Sequence, residues 1–258
     1  MEIPTGLAAA VAGAIPCLLF GAVAALIVVA VIWGMKKARE RREALARLAA
    51  EWGIRFYADD PWDLAARYGG FDLFNSGHSR RASNILAGDI GGRPVVMCDY
   101  QYKTGSGKNE STHTFQAAVL EMPIVAPRLQ MRRENVLDRI AEWVGHGDLN
   151  FESEEFSRRY HVKCEEPKFA YDILHERLIE YLLGCGEAPT LAMSGPLMVL
   201  AFDGTGTADV FRRLLGIGEH IIGSIPDYVL TARGTAAAKG AGDAPPTGRS
   251  HSAGDAPA

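Results

Sequence analysis

The run from Leu7 to Trp33, LAAAVAGAIPCLLFGAVAALIVVAVIW, carries no charged side chain. It exceeds the roughly 20 apolar residues that a helix needs to cross a hydrocarbon core of about 30 Å. A chain with such a segment is expected to place it as one transmembrane helix and to fold the remainder outside the bilayer. A cleavable signal peptide would need a basic leading region and a shorter apolar core. Neither is present here, so the segment reads as a retained anchor.

The flanks set the orientation. Glu2 is the one ionisable side chain before the run, whereas Lys36, Lys37, Arg39, Arg41, Arg42 and Arg47 follow it. Cationic flanks stay on the cytoplasmic side. The expected topology is single-pass in the inner membrane, N-terminus outside, soluble part in the cytoplasm. Trp33, Lys36, Lys37, Arg39, Arg41 and Arg42 are the expected membrane-interface residues, with the lipid bilayer as a partner. Glu40, Glu43 and Glu51 interrupt the basic cluster, so it reads first as a topology signal and second as a site for anionic headgroups. Small residues recur every four positions at Ala9, Gly13, Cys17, Gly21 and Ala25, a spacing that lets two helices approach closely. Gly13, Cys17, Gly21 and Ala25 are therefore the helix-packing candidates of a homo-oligomer. Pro16 is a candidate kink.

Composition narrows the function classes. The net charge of −4 and a pI near 6.0 leave no basic nucleic-acid footprint, and no nucleic-acid partner is expected. Cys17, Cys98, Cys164 and Cys185 contain no C-x-x-C pair, which in a cytoplasmic domain points to reduced thiols rather than disulfides or zinc. The expected organisation is an anchor over 1–34, a basic juxtamembrane helix over 35–52, a cytoplasmic α+β domain over 53–230 and a disordered tail over 231–258. That tail is Ala, Gly, Pro, Ser and Asp with almost nothing large to bury.

Within the domain, Ile54–Phe56 reads as extended, and Asp60 with Pro61 reads as the cap and first position of a short helix closed by Gly69-Gly70. Phe71–Arg81 reads as a surface connection. Ser83–Ile90, Arg93–Tyr102 and His113–Met122 are separated by Gly91-Gly92 and by Lys103–Ser111, which predicts a three-strand antiparallel meander. Pro123–Gln130 reads as an extended connection and Arg132–Val144 as an amphipathic helix. Tyr160–Cys164 reads as a strand, and Pro167 opens a helix running to Gly184. Thr190–Met193 and Leu197–Phe202 read as a hairpin turning at Ser194-Gly195-Pro196. Thr207 or Asp209 caps a last helix that ends before Pro226. The fold class is α+β: antiparallel sheet, from the meander and the later hairpin, packed with amphipathic helices.

The chemistry-bearing patterns are weak. Thr104-Gly105-Ser106-Gly107-Lys108 suggests a phosphate loop, yet it joins two strands and lacks the Lys-Ser/Thr ending at a strand-to-helix junction. The acidic group Glu152, Glu154, Glu155, Glu165 and Glu166 has no H-E-x-x-H partner and is interleaved with Arg158, Arg159 and Lys163. Asp99, flanked by Tyr100 and Tyr102, and His175, beside Glu176 and Arg177, have no assignable partner, and no G-x-S-x-G elbow exists. No catalytic, cofactor-binding or metal-binding residue is assigned.

The stretch Phe151-Glu152-Ser153-Glu154-Glu155-Phe156-Ser157-Arg158-Arg159-Tyr160-His161-Val162, with Lys168-Phe169-Ala170 and Glu176-Arg177-Leu178, resembles a family of uncharacterised bacterial membrane-anchored proteins, a domain of unknown function with a FESEEF-type motif. Leu86–Gly92 and Val95–Tyr102 resemble that family's glycine-punctuated strand followed by an Asp-Tyr strand. The resemblance covers about Ile54 to Val229, with Tyr160 in place of phenylalanine and Leu178-Ile179 in place of methionines. It implies no activity and transfers no site residue. Three readings remain: a membrane-held binding or scaffold module of unknown ligand, recognising a protein partner, a lipid headgroup or a small ligand at the inner membrane surface; a membrane-tethered enzyme such as a hydrolase using Asp99, His113 and Glu154; and a homo-oligomer assembled through the transmembrane helix.

Overall fold

The computed structural model describes the backbone of residues 5–133 and 149–234, and side chains from residue 25 onward. Gly13, Cys17 and Gly21 of the small-residue face are described as helical backbone only, and residues 134–144 of the expected amphipathic helix and the tail beyond Gly234 lie outside the described residues. The chain divides into two units, Met1–Ala44 and Leu45–Ala258. Helix α1 (Thr5–Glu51) is continuous through the apolar run and the basic stretch. In the first unit Leu26, Ile27, Val28, Val29, Val31, Ile32, Trp33 and Met35 are all exposed, Leu26 at 68 %. Among the described residues no helix is long and apolar enough to cross a membrane. The expected transmembrane span is thus seen only as helix, because described side chains begin at Ala25 and charges resume at Lys36.

In the second unit a six-stranded antiparallel sheet is built from β1 (Arg55–Asp59), β2 (His78–Ile90), β3 (Arg93–Thr104), β4 (Ser111–Arg133), β5 (Tyr160–Cys164) and β6 (Thr190–Asp203). The meander forms as the turns require. Ile90 pairs with Arg93 across Gly91 and Gly92, whose φ values of 62° and 80° suit the two-residue hairpin turn. Strand β4 is the spine: Ser111–Leu120 pairs with β3, Leu129–Arg133 pairs with β5, and β6 runs beside both halves.

Two expectations change here. Pro123–Gln130 continues β4 instead of leaving the sheet. The prolines have no N–H to donate, so the ladder loses register between Glu121 and Leu129, where the strand is irregular. Residues 190–203 are not a hairpin but the single strand β6. Both halves pair with the long β4, and Gly195, at φ 56°, sits in the irregularity opposite Ala126.

Side chains alternate between two apolar layers. Leu86, Val95, Met97, Ala118, Leu120, Met198 and Leu200 belong to the layer that includes Leu45, Leu48 and Ala49 of α1. The same layer takes α4 (Glu154–Arg159), α5 (Pro167–Ile173), α6 (Glu176–Gly184), α7 (Ala208–Gly223) and α8 (Asp227–Arg233). Gly218 lets α7 lie close on the sheet, since a Cβ there would stand 2.9 Å from Leu120 Cδ2. The other layer holds Ile85, Val96, Cys98, Tyr100, Phe115, Ala117 and Val119 beneath α2 (Leu64–Arg67) and α3 (Asp72–Asn75). Tyr100 donates its hydroxyl to the Phe74 carbonyl at 2.9 Å, and the two rings stand 4.7 Å apart.

Local chemistry explains the other differences. Asp63, not Asp60, caps α2 by accepting from Ala66 N at 3.2 Å; Asp60 instead accepts from Trp62 N and Leu64 N at 3.0 and 2.7 Å, closing the preceding turn. Phe71–Arg81 is not a surface connection, because Leu73 and Phe74 bury themselves in α3 and β2 begins at His78. The helix expected from Pro167 to Gly184 is two helices broken at His175. The short helix α8 follows Pro226, unforeseen because it has a single buried residue, Val229.

Candidate functional site

Asp99, His113 and Glu154 do not meet. Asp99 on β3 stands opposite Gln116, whereas His113 on β4 stands opposite Tyr102, three positions along the ladder and therefore on the other face. Asn84 Nδ2 donates to Asp99 at 2.7 Å, and His113 Nε2 shares a 2.8 Å hydrogen bond with Thr104 Oγ1. Glu154 is exposed in the first turn of α4. Burial, reinforced by Asp99, pushes the Cys98 thiol well above its ordinary range, and burial raises Cys164 too. Both are therefore protonated, poor nucleophiles. Among the described residues no group of three or more His, Cys, Asp or Glu side chains could hold a metal ion. The loop 104–108 joins antiparallel β3 and β4 through a 3-10 turn at Gly107–Asn109, so it presents no helix N-terminus to a phosphate.

One buried polar cluster ties α3 to the far half of β4. Asp72 accepts from Arg128 and, at 3.2 Å, from Arg132, which also donates to Gln130. The Arg132 side chain is 9 % exposed and that of Arg128 34 %. Its members are consumed by one another, which fits a structural joint.

A concave feature among the described residues lies between the start of the FESEEF stretch and the α5–α6 break. A cleft of about 570 Å³ is lined by Asn150, Phe151, Glu152, Ser153, Tyr171, Leu174, His175, Glu176, Ile179, Glu180 and Leu183. Its apolar lining comes from Leu174, Ile179 and Leu183, with Phe151 and Tyr171 as an aromatic pair 5.1 Å apart. The Tyr171 ring is held by its hydroxyl, which donates to Asn150 O at 3.2 Å, yet the residue stays 45 % exposed. Glu152, Glu176 and Glu180 are exposed carboxylates of the lining, and among the described residues no lysine or arginine lines it.

His175 makes the cleft possible. Its Nδ1 faces Leu178 N at 3.4 Å as the N-cap of α6, and its Nε2 faces the Ser224 carbonyl at 3.0 Å. A carbonyl can only accept, so Nε2 carries the proton and Nδ1 accepts. With both nitrogens engaged, the ring positions a helix and is not a free base. The sequence pointed to Glu152 and His175 separately but not to Glu176, Glu180 or the cleft. The missed signal is a histidine acting as an N-cap, a role read more readily from Ser, Thr, Asn or Asp.

The expected membrane-interface residues from Trp33 to Arg42 lie along one stretch of α1. Lys37 Nζ lies 5.5 Å from the Trp33 ring centroid, an i,i+4 cation–π pair. Lys36 pairs with Glu40 at 3.9 Å and Arg39 with Glu43 at 3.1 Å, while Arg42 is exposed and Arg41 half-buried on the same helix. Ala25 is exposed. The basic cluster is thus partly neutralised along its own helix.

With a six-stranded sheet whose long β4 pairs with β3, β5 and β6, and helices on both faces, the architecture can be compared with solved folds. The chain is similar in fold to the mycobacterial trehalose monomycolate transport factor A, TtfA. The TM-score is 0.51 at 14 % identity, over 72 % of this chain and 95 % of TtfA. At that identity the likeness to TtfA speaks for the fold alone. No family model matches the chain, and no curated protein does.

Proposed function

We propose that the chain is a single-pass inner-membrane protein, N-terminus outside, whose cytoplasmic domain is a binding module for lipid handling at that membrane rather than an enzyme. The observation that carries this reading is the exposed apolar surface of α1. Eight large apolar side chains from Leu26 to Met35 stand open to solvent, followed by Lys36 to Arg42. Contiguous apolar surface of that kind marks a membrane or protein interface. The aromatic–cation pair Trp33–Lys37 has the chemistry of the headgroup level. Support for the lipid side comes from the fold shared with TtfA, named for the transport of trehalose monomycolate, a sugar lipid. The scattered placement of Asp99, His113 and Glu154 supports binding over catalysis.

The test is membrane partition. Full-length protein is expected to stay in the membrane pellet through alkaline carbonate washing. Phe20→Asp combined with Ala24→Asp, each charge costing about 3 kcal/mol at a helix centre, is expected to release it. Release of the unaltered chain into the wash would sink the reading.

A further inference from the structure

We propose that the α5–α6 cleft docks a basic amphipathic segment of a membrane-protein partner. This assignment of the partner's chemistry rests on the reading of a cytoplasmic, membrane-held module. The argument begins with charge. Glu152 precedes α4, Glu176 occupies the first turn of α6 and Glu180 lies one turn later, so the last two share a face of α6 beside the cleft. None of these three carboxylates has an ion-pair partner among the described residues, whereas Glu40, Glu43, Glu51, Glu155, Glu166 and Glu187 each do. The cleft therefore keeps its negative field.

Shape and polarity narrow the occupant further. Leu174, Ile179 and Leu183 with Phe151 and Tyr171 make an apolar lining, so a bare cation would leave that surface unused. A volume of about 570 Å³ accommodates a few large apolar side chains, the number that one face of a short helix presents at i, i+3 and i+4. Anionic phospholipid headgroups are repelled by the three carboxylates. Cytoplasmic segments next to membrane spans, by contrast, are enriched in Lys and Arg. A juxtamembrane helix with leucines on one face and lysines flanking them satisfies both the lining and the rim. Tyr171, held in place and left 45 % exposed, supplies a ring face to a lysine or arginine at the edge.

The experiment uses full-length protein in detergent and a fluorescently labelled 14-residue helical peptide of Leu and Lys at i, i+3, i+4 spacing, followed by anisotropy. The expected result is saturable binding that weakens with salt and weakens about tenfold in Glu176→Gln/Glu180→Gln, as loss of two rim charges requires. Tyr171→Ala is expected to weaken it as well. Glu219→Gln/Asp227→Asn, which removes two carboxylates on α7 and α8, is expected to leave binding unchanged. Equal weakening in both double variants, or equal binding of a peptide with Glu in place of Lys, overturns the proposal. Because detergent-solubilised protein is used, this outcome is independent of the carbonate test, and either reading can fail alone.

Discussion

A chain beginning at Trp52 is expected to lose its cooperative fold, and one beginning at Met35 to keep it. The last turns of α1 are part of the folded unit, which begins at Leu45. Leu45 and Leu48 are completely or almost completely buried, Ala49 with them, in the layer that includes Ile54, Leu86 and Met97. Glu51 adds an ion pair to Arg212 of α7. Losing one buried leucine costs roughly 2–5 kcal/mol, so losing both costs about 4–10 kcal/mol. That is comparable to the whole stability of a typical domain, about 5–15 kcal/mol. Thermal unfolding of the two truncated proteins checks this: a single sharp transition for the longer one and none for the shorter. Matching transitions in both would mean that these leucines contribute little to the core. The same helix that carries the exposed apolar surface ends as a core element, so its last turns belong to the folded unit.

The second large effect is expected at Asp72. Replacing it with alanine strips two guanidinium groups of their shared carboxylate, and Arg132 has little water to turn to. Breaking a buried pair costs about 3–5 kcal/mol, and the partial exposure of Arg128 places the expected loss near the low end. For a domain of this size each kcal/mol lowers Tm by roughly 2–4 °C, so a fall of about 6–12 °C is expected. Asp72→Ala combined with Arg132→Met removes the more buried of the two guanidinium groups together with the carboxylate and is expected to recover part of the loss. A single variant with an unchanged melt would show that the cluster is not the joint between α3 and β4.

The parts of the fold legible in the sequence are those whose signals are local. Gly91-Gly92 specifies the β2–β3 turn, the polar Lys103–Ser111 loop separates β3 from β4, and the alternating Tyr160–Cys164 is β5 as expected. Apolar spacing from Val210 to Ile222 marks α7. The rest depends on partners distant in sequence. Ser194-Gly195-Pro196 has turn chemistry, but whether it turns is decided by a β4 long enough to pair with both flanking halves. The break at His175 is decided partly by the Ser224 carbonyl, 49 residues away, which fixes the tautomer that caps α6. The cleft follows from that break and was illegible for the same reason: its lining joins Asn150–Ser153 to Tyr171–Leu183, and no periodicity records their approach. Surface clamps such as Asp172 are likewise tertiary. Burial raises that carboxyl, but hydrogen bonds from Lys168 and from Tyr228 on α8 outweigh it and hold the carboxyl below its ordinary value.

The proposed placement of the domain by α1 at the cytoplasmic face of the inner membrane can be read out by protease protection in sealed vesicles of known sidedness. In inside-out vesicles, added protease is expected to degrade the domain from Leu45 onward without detergent, while right-side-out vesicles protect it until lysed. Protection in inside-out vesicles with digestion in right-side-out ones would contradict the orientation, and digestion in both, with the domain washing free, would contradict the anchor itself.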